Sequence, residues 1–274
     1  MYTVHKITDL PYFDLPTSLT IGNFDALHRG HQHLISRMKK KSMLVTLVTF
    51  SSFPEKPLSS IFSQKQKVRL LEMLGIDNLL LLPFAEISSL TFDAFLDEIA
   101  SHFSSLHLVL GKNSFFGKNR EGNEEKVLAF AEQRKMQVEY LPLITEEKET
   151  ISSTRIRLAI VRGDFALLQK LLDRPFSYFF DLSSAHTFFS SPYSSKLSLE
   201  FSLKNQTPLP SGSYEVFVES GENHVSTIAS LTEDRLQMVL APDFISKGAT
   251  LQVIFCSKKR KESLFLQNTK DLYV

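Results

Sequence analysis

At 274 residues the chain exceeds what one ordinary core needs, so one large domain or a larger and a smaller one are expected. Hydrophobic residues make up 43% and charged residues 22%, the balance of a globular protein, which excludes a disordered or membrane-spanning chain. A net charge of +1 supplies no field to gather nucleic acid, no apolar run reaches the roughly 18 residues of a membrane helix, and no signal-like segment opens the chain, so a cytoplasmic location is expected.

From Leu19 to about Leu143, short β-branched or leucine-rich runs alternate with helical patterns, the rhythm of a parallel sheet with crossover helices. Strands are expected at Leu19–Ile21, Leu44–Phe50, Leu79–Leu82, Leu106–Leu110 and Val138–Leu143. Most lack polar alternation, as strands covered on both faces do. Between them a helix opens at Ser63 and stops at Gly75, and a second opens at Asn123, followed by Glu124 and Glu125. The hydroxyl cluster Ser152, Ser153 and Thr154 opens another helix that ends at Gly163.

After about Pro175 the pattern becomes alternating, at Leu197, Leu199, Phe201 and Leu203, then Tyr214, Val216 and Val218, then Leu236–Leu240 and Leu251–Phe255. Pro208, Pro210, Gly212, Gly221, Pro242 and Gly248 punctuate it, which predicts a small antiparallel barrel or sandwich. The expected fold class is therefore α/β, a Rossmann-like domain over 1–174 and a small antiparallel β-barrel over 175–274. Cys256, the single cysteine, follows the run Leu251–Phe255 and is expected to be a buried thiol, outside any disulfide or cysteine metal cluster. The basic run Lys258–Lys261 reads as a solvated strand end.

Three segments carry chemistry. In the first, Gly22-Asn23-Phe24-Asp25 follows a strand, and His28-Arg29-Gly30-His31 leads into the amphipathic stretch Gln32–Lys39. The two imidazoles thus fall at a helix N-terminus, where free N–H groups and the helix dipole favour phosphate and Gly30 lets a ligand approach the backbone. A zinc pair needs a third protein ligand and a longer helical spacing, so no metal-ligating residues are assigned. In the second, Ser152-Ser153-Thr154 with Arg157 one turn on fits either a helix cap or a phosphate site in which the guanidinium makes paired hydrogen bonds. The third, Gly111-Lys112-Asn113-Ser114-Phe115-Phe116-Gly117, follows a buried strand, where open α/β sheets bind their ligands. Phe115 and Phe116 fit a core as well as a binding site.

Taken together, Gly22–Asp25 with His28-Arg29-Gly30-His31-Gln32 resembles the entry motif of bacterial FAD synthetases. Ile151-Ser152-Ser153-Thr154-Arg155-Ile156-Arg157 is similar to the second phosphate-binding motif of that family, and Gly111–Gly117 to its nucleotide and flavin loop. Ala26 stands where the family generally has glycine, Asn113 where it has aspartate and Ser114 where it has an aromatic residue. Thr49–Pro54 also resembles a family segment but lacks its acidic residue and histidine. The resemblance implies transfer of the adenylyl group of ATP to FMN, magnesium entering with ATP, catalysis by His28, His31 and Arg157, and binding through Gly22, Asn23, Phe24, Asp25, Gly30, Asn113, Ser153 and Thr154. It continues through Leu171–Phe176 to a join with a riboflavin-kinase-like barrel. Phe176 to Leu209, however, lacks the glycine-rich stretch and the Pro-Thr-Ala-Asn motif of that kinase, reading Phe179–Ser183 and Ser190-Ser191-Pro192-Tyr193 instead. Riboflavin is therefore only a conditional partner, and the barrel is expected either to be retained with weak or absent riboflavin kinase activity or to serve as a packing or oligomer module. Two rival readings are another nucleotidyltransferase with His-x-Gly-His, acting on phosphopantetheine or a nicotinamide mononucleotide, and a non-catalytic flavin or nucleotide binder.

Overall fold

Leu19 and Ile21 face one side of a strand, Ser18 and Thr20 the other, and all four are buried. A strand so covered belongs in the middle of a layered sheet. The computed structural model describes residues 1–39, 43–52, 60–189, 196–204, 206–244 and 250–258. Phe53, Pro54, Ser190–Tyr193, Gly248 and the Lys259–Lys261 part of the basic run lie outside them. The described chain divides into two compact units, Met1–Ile156 with Leu171–Asp173, and Arg157–Lys170 with Arg174–Val274.

The first unit holds a six-stranded parallel sheet of β1 (Tyr2–Val4), β2 (Thr17–Ile21), β3 (Leu44–Ser52), β4 (Asn78–Pro83), β5 (Leu106–Gly111) and β6 (Gln137–Leu141), in the order β1-β4-β3-β2-β5-β6. Leu19 pairs with Thr46 on one side and with Leu108 on the other, so β2 is central. From β2 the chain steps outward through α1 (Arg29–Lys39) to β3 and through α2 (Gln64–Met73) to β4. It then passes α3 (Phe84–Ile87) and α4 (Phe92–Ala100), returns to β5 on the opposite side of β2, and reaches β6 through α5 (Glu124–Gln133). The strand order thus reverses between β2 and β5, and the crevice beyond their carboxyl ends is where such sheets take ligands.

The helix starts follow their sequence signals. Ser63 Oγ accepts from the Gln66 N–H at 3.2 Å and Asn123 Oδ1 from the Lys126 N–H at 3.0 Å. Gly75 sits at φ +65°, where a side chain would be strained. Core residues gather on one face of the sheet, Leu80, Leu108 and Leu110 meeting Phe95, Leu96 and Ile99 of α4 and Phe130 of α5. Strands β4 and β5 are buried almost throughout, as runs without alternation should be, whereas β6 at the sheet edge is only partly covered. The edge strand β1 carried no sequence signal, being three residues long.

After β6 come a two-stranded hairpin, β7 (Thr145–Glu146) and β8 (Glu149–Thr150), and helix α6 (Ser153–Arg162). Gly163 at φ +67° closes α6, with the Gly163 N–H on the Ile160 carbonyl and the Asp164 N–H on the Ala159 carbonyl, a Schellman pair. Helix α7 (Phe165–Leu172) follows.

In the second unit β9 (Ser177–Asp181), β10 (His186–Phe189), β11 (Leu197–Ser202), β12 (Gly212–Ser220), β13 (Asn223–Thr232), β14 (Arg235–Leu240) and β15 (Thr250–Lys258) form an antiparallel sheet ordered β10-β11-β14-β13-β12-β15-β9. In a flat sheet β9 and β11 would stand five strand spacings apart, about 24 Å. Yet the Phe180 and Phe201 rings stack at 4.4 Å. The sheet therefore curls on itself as a barrel wall does, around Tyr178, Tyr214, Phe201 and Phe255. The alternation that buries Phe255 turns Cys256 outward, so this thiol is exposed and not the buried one expected.

Candidate active site

The loop from Gly22 to His28 leaves the central strand at the reversal point, and its residues divide between shaping and exposure. Gly22 donates its N–H to the Val48 carbonyl at 3.0 Å, and a Cβ there would stand 3.0 Å from the Phe24 ring. Phe24 and Leu27 adopt left-handed backbone at φ 49° and 45°. Ala26 does not, so the turn accommodates its Cβ without strain, and the methyl is fully buried. Phe24 and Asp25 also point inward. The Phe24 ring packs on His31 with centroids 4.8 Å apart, and Asp25 Oδ1 accepts from the Ile61 N–H at 3.1 Å.

His28 directly precedes α1, and its carbonyl accepts the first helical hydrogen bond, from the Gln32 N–H at 3.0 Å. Its Nδ1 also accepts from the His31 N–H at 3.4 Å. It thus caps the helix by a side chain, as Ser or Asn usually does. The His28 and His31 rings stack with centroids 3.7 Å apart and planes 14° apart. Gly30 makes this possible, since a Cβ there would lie 3.1 Å from His28 Cε1 and Nδ1. The space over Gly30, expected to admit a ligand, is taken by the His28 ring. Gln32 Nε2 fixes the other side of the turn by donating to the carbonyls of Leu27 at 2.9 Å and Leu172 at 2.6 Å.

Beside this turn lies a cavity of about 520 Å³, in the size range of small-ligand sites. Gly22 and Asn23 from the loop after β2 line one side, Asn113 and Ser114 from the loop after β5 another, and Phe50, Phe84, Phe95, Phe115 and Phe116 supply flat apolar walls. Asn113 takes φ 72°, and the Ser114 N–H closes a turn on the Gly111 carbonyl at 3.0 Å. Phe116 is buried while Phe115 is exposed with the Arg120 guanidinium over its ring at 5.2 Å, so one phenylalanine joins the core and its neighbour forms the rim. Gly117, at φ +78°, leaves no room for a side chain, because a Cβ would stand 2.5 Å from the Phe92 backbone N.

Ser152 caps α6, its Oγ accepting from the Arg155 N–H at 3.3 Å and its carbonyl from the Ile156 N–H at 3.1 Å. One hydroxyl therefore suffices for the cap, and Ser153 and Thr154 occupy the first turn beyond it, Thr154 exposed. Arg157 lies one turn further along the same helix.

Several functional-looking residues carried no sequence signal. Lys67, buried on α2, donates from Nζ to the Phe50 carbonyl at 2.9 Å, and to the Asn23 carbonyl and Thr49 Oγ1 at 3.3 Å each. It ties the ends of β2 and β3 together behind the cavity. Arg29, Glu146 and Arg155 likewise link the first and second motifs. Arg29 Nη1 meets Glu146 Oε2 at 2.6 Å, and Arg155 Nη1 donates to the carbonyls of Glu146 at 2.8 Å and Glu149 at 3.0 Å. Among the described residues no group of three or more His, Cys, Asp or Glu side chains converges to hold a metal.

Comparison with known proteins decides the family. The sequence profile described as FAD synthetase matches residues 12–155, more than half of the chain and the whole of the cavity and turn just described. This chain belongs to the FAD synthetase family. The Buchnera aphidicola protein named bifunctional riboflavin kinase/FMN adenylyltransferase is 30% identical over 232 residues, 79% of this chain and 73% of that protein. A Listeria monocytogenes protein of the same name is 29% identical over 65% of this chain and 60% of its own length. A Listeria protein named FAD synthetase is 29% identical over 57% and 68%. Among solved structures, a Streptococcus pneumoniae protein described as a macrolide-efflux protein superposes over 97% of this chain and 93% of its own, with a TM-score of 0.76 and 23% identity. At that identity the likeness concerns the fold alone, a parallel sheet with helices followed by a curled antiparallel sheet. No described helix is long and apolar enough to cross a membrane.

Proposed function

We propose that this member of the FAD synthetase family transfers the adenylyl group of ATP to FMN, releasing pyrophosphate. The observation that carries the reading is the aromatic cavity at the β2–β5 reversal, whose lining loop runs directly into the stacked His28 and His31. Flat apolar walls of phenylalanine suit an isoalloxazine ring, and Asn23 and Asn113 offer polar groups at its edge. Phe24 and Asp25 contribute by shaping the loop. The FMN phosphate is its own nucleophile, since a phosphomonoester with a second pKa near ~6 is mostly dianionic at neutral pH.

Catalysis is then alignment and charge stabilisation. A phosphate oxygen of FMN forms a bond to the α-phosphorus of ATP while the bond to the bridging oxygen breaks, and the electron pair leaves with pyrophosphate. His28 and His31 donate hydrogen bonds as charge moves onto the leaving group, and Ser153, Thr154 and Arg157 hold the departing phosphates. Magnesium supplies neutralisation of the triphosphate charge. It would bind chiefly through phosphate and water, so no residue is assigned to it. The partners are small molecules, the location is cytoplasmic, and the catalytic domain ends near Arg174.

The barrel is a retained module with weak or absent riboflavin kinase activity, because Phe176 to Leu209 lacks the kinase motifs. Incubating the protein with magnesium and ATP, once with FMN and once with riboflavin, and separating the flavins by chromatography tests both statements. FAD from FMN and little or no product from riboflavin is the expected outcome. Failure to form FAD overturns the transferase reading, and conversion of riboflavin at a comparable rate overturns the loss of kinase activity. FAD output unchanged in His28→Ala would remove that residue from the chemistry.

A further inference from the structure

The hairpin β7–β8 turns through Glu147 and Lys148, both left-handed at φ 53° and 66°. Two-residue hairpin turns of this kind normally use Gly or Asn, because a Cβ in that region is strained. A turn built from Glu and Lys persists only where its surroundings hold it. Here the strands on either side are held by two arginines. Arg155, in the first turn of α6, donates from Nη1 to the carbonyls of Glu146 and Glu149 and places Nε 3.2 Å from Glu149 Oε2. Arg29, the first residue of α1, reaches the Glu146 carboxylate at 2.6 Å. The Ile151 N–H bonds the Ile144 carbonyl at 2.9 Å, so the hairpin base passes directly into the Ser152 cap.

From this chain of contacts we infer that Arg29 is a positioning residue, and that the hairpin is a spacer fixing the Ser153–Thr154 turn of α6 relative to the His28–His31 turn of α1. Glu146 is its second half. The inference rests on the adenylyl transfer proposed above, in which the His28–His31 turn donates hydrogen bonds as charge moves onto the leaving group and the Ser153–Thr154 turn holds the departing phosphates. Those groups must lie in line at the moment of transfer, and a misplacement near one ångström costs on the order of 100-fold in rate. Arg29 contacts neither phosphate in this arrangement. It acts through Glu146.

The test is Arg29→Met, which keeps the aliphatic stem and removes the charge, measured beside the wild-type chain for FAD formation from FMN at varied ATP. A fall in kcat of roughly 10- to 100-fold with KM for ATP within about threefold is expected. Hydrogen exchange of the ligand-free proteins should accelerate at the amides of residues 145–155 and stay unchanged in the β2–β5 core. The charge-reversed pair Arg29→Glu with Glu146→Arg should recover part of what either single reversal loses. Either wild-type kcat or wild-type exchange in Arg29→Met overturns the inference, as does a double reversal no better than the worse single one. If the wild-type chain makes no FAD, the transferase reading fails by itself, and unaltered exchange in the variant would still sink the spacer.

Discussion

The ring of His28 lies over the backbone of Gly30, so that an added Cβ would stand 3.1 Å from His28 Cε1 and Nδ1. Two effects oppose each other in Gly30→Ala. Alanine in a helical turn is favoured over glycine by about 1 kcal/mol. The same methyl pushes the imidazole off its stack with His31. The variant is therefore expected to melt at or slightly above the wild-type temperature while its FAD formation falls roughly tenfold or more. Thermal denaturation and initial rates on one preparation check this, and a stable variant of full activity would show that the His28 ring position does not matter.

Because His28 both caps α1 and is assigned to the transfer step, its two tasks can be separated by side-chain choice. Asparagine is among the best capping residues, whereas alanine loses about 1 kcal/mol at such a position. His28→Asn should keep the melting temperature within a few degrees, and His28→Ala should lower it. Both should lose on the order of 100- to 1000-fold in kcat, the usual cost of one donor to developing transition-state charge. Were asparagine to restore activity along with stability, His28 would be a cap and nothing more.

What was legible in advance follows from how local each signal is. Caps at Ser63 and Asn123, the stop at Gly75 and the buried strands depend on neighbours within one turn or strand, and the structure reproduces them. Family membership was readable from the residues around His28 and Thr154 for the same reason. Lys67 was not readable, since one lysine in Gln64-Lys65-Gln66-Lys67 looks like its neighbours until β3 supplies a carbonyl. The Arg29–Glu146 pair spans residues far apart in sequence, and nothing local announces it. Cys256 is exposed although it follows an apolar run, because in an antiparallel wall the residue after a buried one faces out.

Lys67→Met tests the tie behind the cavity. Methionine matches the stem but leaves the Asn23 and Phe50 carbonyls and the Thr49 hydroxyl without this donor. Losing the hydrogen bonds of a buried charged donor costs about 1.5–3 kcal/mol even though Thr49 Oγ1 still donates to the Asn23 carbonyl at 2.9 Å, so the melting temperature should drop by several degrees. Asn23 lines the cavity, so KM for FMN should rise more than KM for ATP. Equal changes in both constants would place the effect in global stability instead.

Gly117→Ala should act through the backbone and not through chemistry. At φ +78° alanine is strained by about 1–2 kcal/mol, and its Cβ would meet the Phe92 backbone, which has no rotamer with which to retreat. A total loss of about 2–4 kcal/mol is expected, read as a lower denaturant midpoint with an unchanged slope. Addition of FMN should recover part of it, because the loop lines the cavity. A midpoint equal to that of the wild type would mean that the loop relaxes freely.

Alkaline pH should weaken the barrel through its tyrosines. Tyr178 is fully buried with its hydroxyl donating to the Thr207 carbonyl at 2.7 Å, and burial pushes its pKa far above the usual value. Burial likewise pushes Tyr214 up to about 12. An unfolded tyrosine ionises from about pH 10, while these remain neutral in the folded barrel. Their stabilising contribution is therefore complete below pH 10 and is lost as pH rises through the folded values, with a slope of up to about 1.4 kcal/mol per pH unit for each. Tyr178→Phe removes one share of that slope but also the bond to Thr207, so at neutral pH it should be less stable by about 1 kcal/mol or more. The difference between variant and wild type should then shrink as pH rises from 9 towards about 12. Guanidinium unfolding at several pH values, with tyrosinate absorbance as the probe in a chain that contains no tryptophan, measures both limbs. Parallel stability curves across that range would show that Tyr178 ionises as readily in the folded barrel as in the unfolded chain.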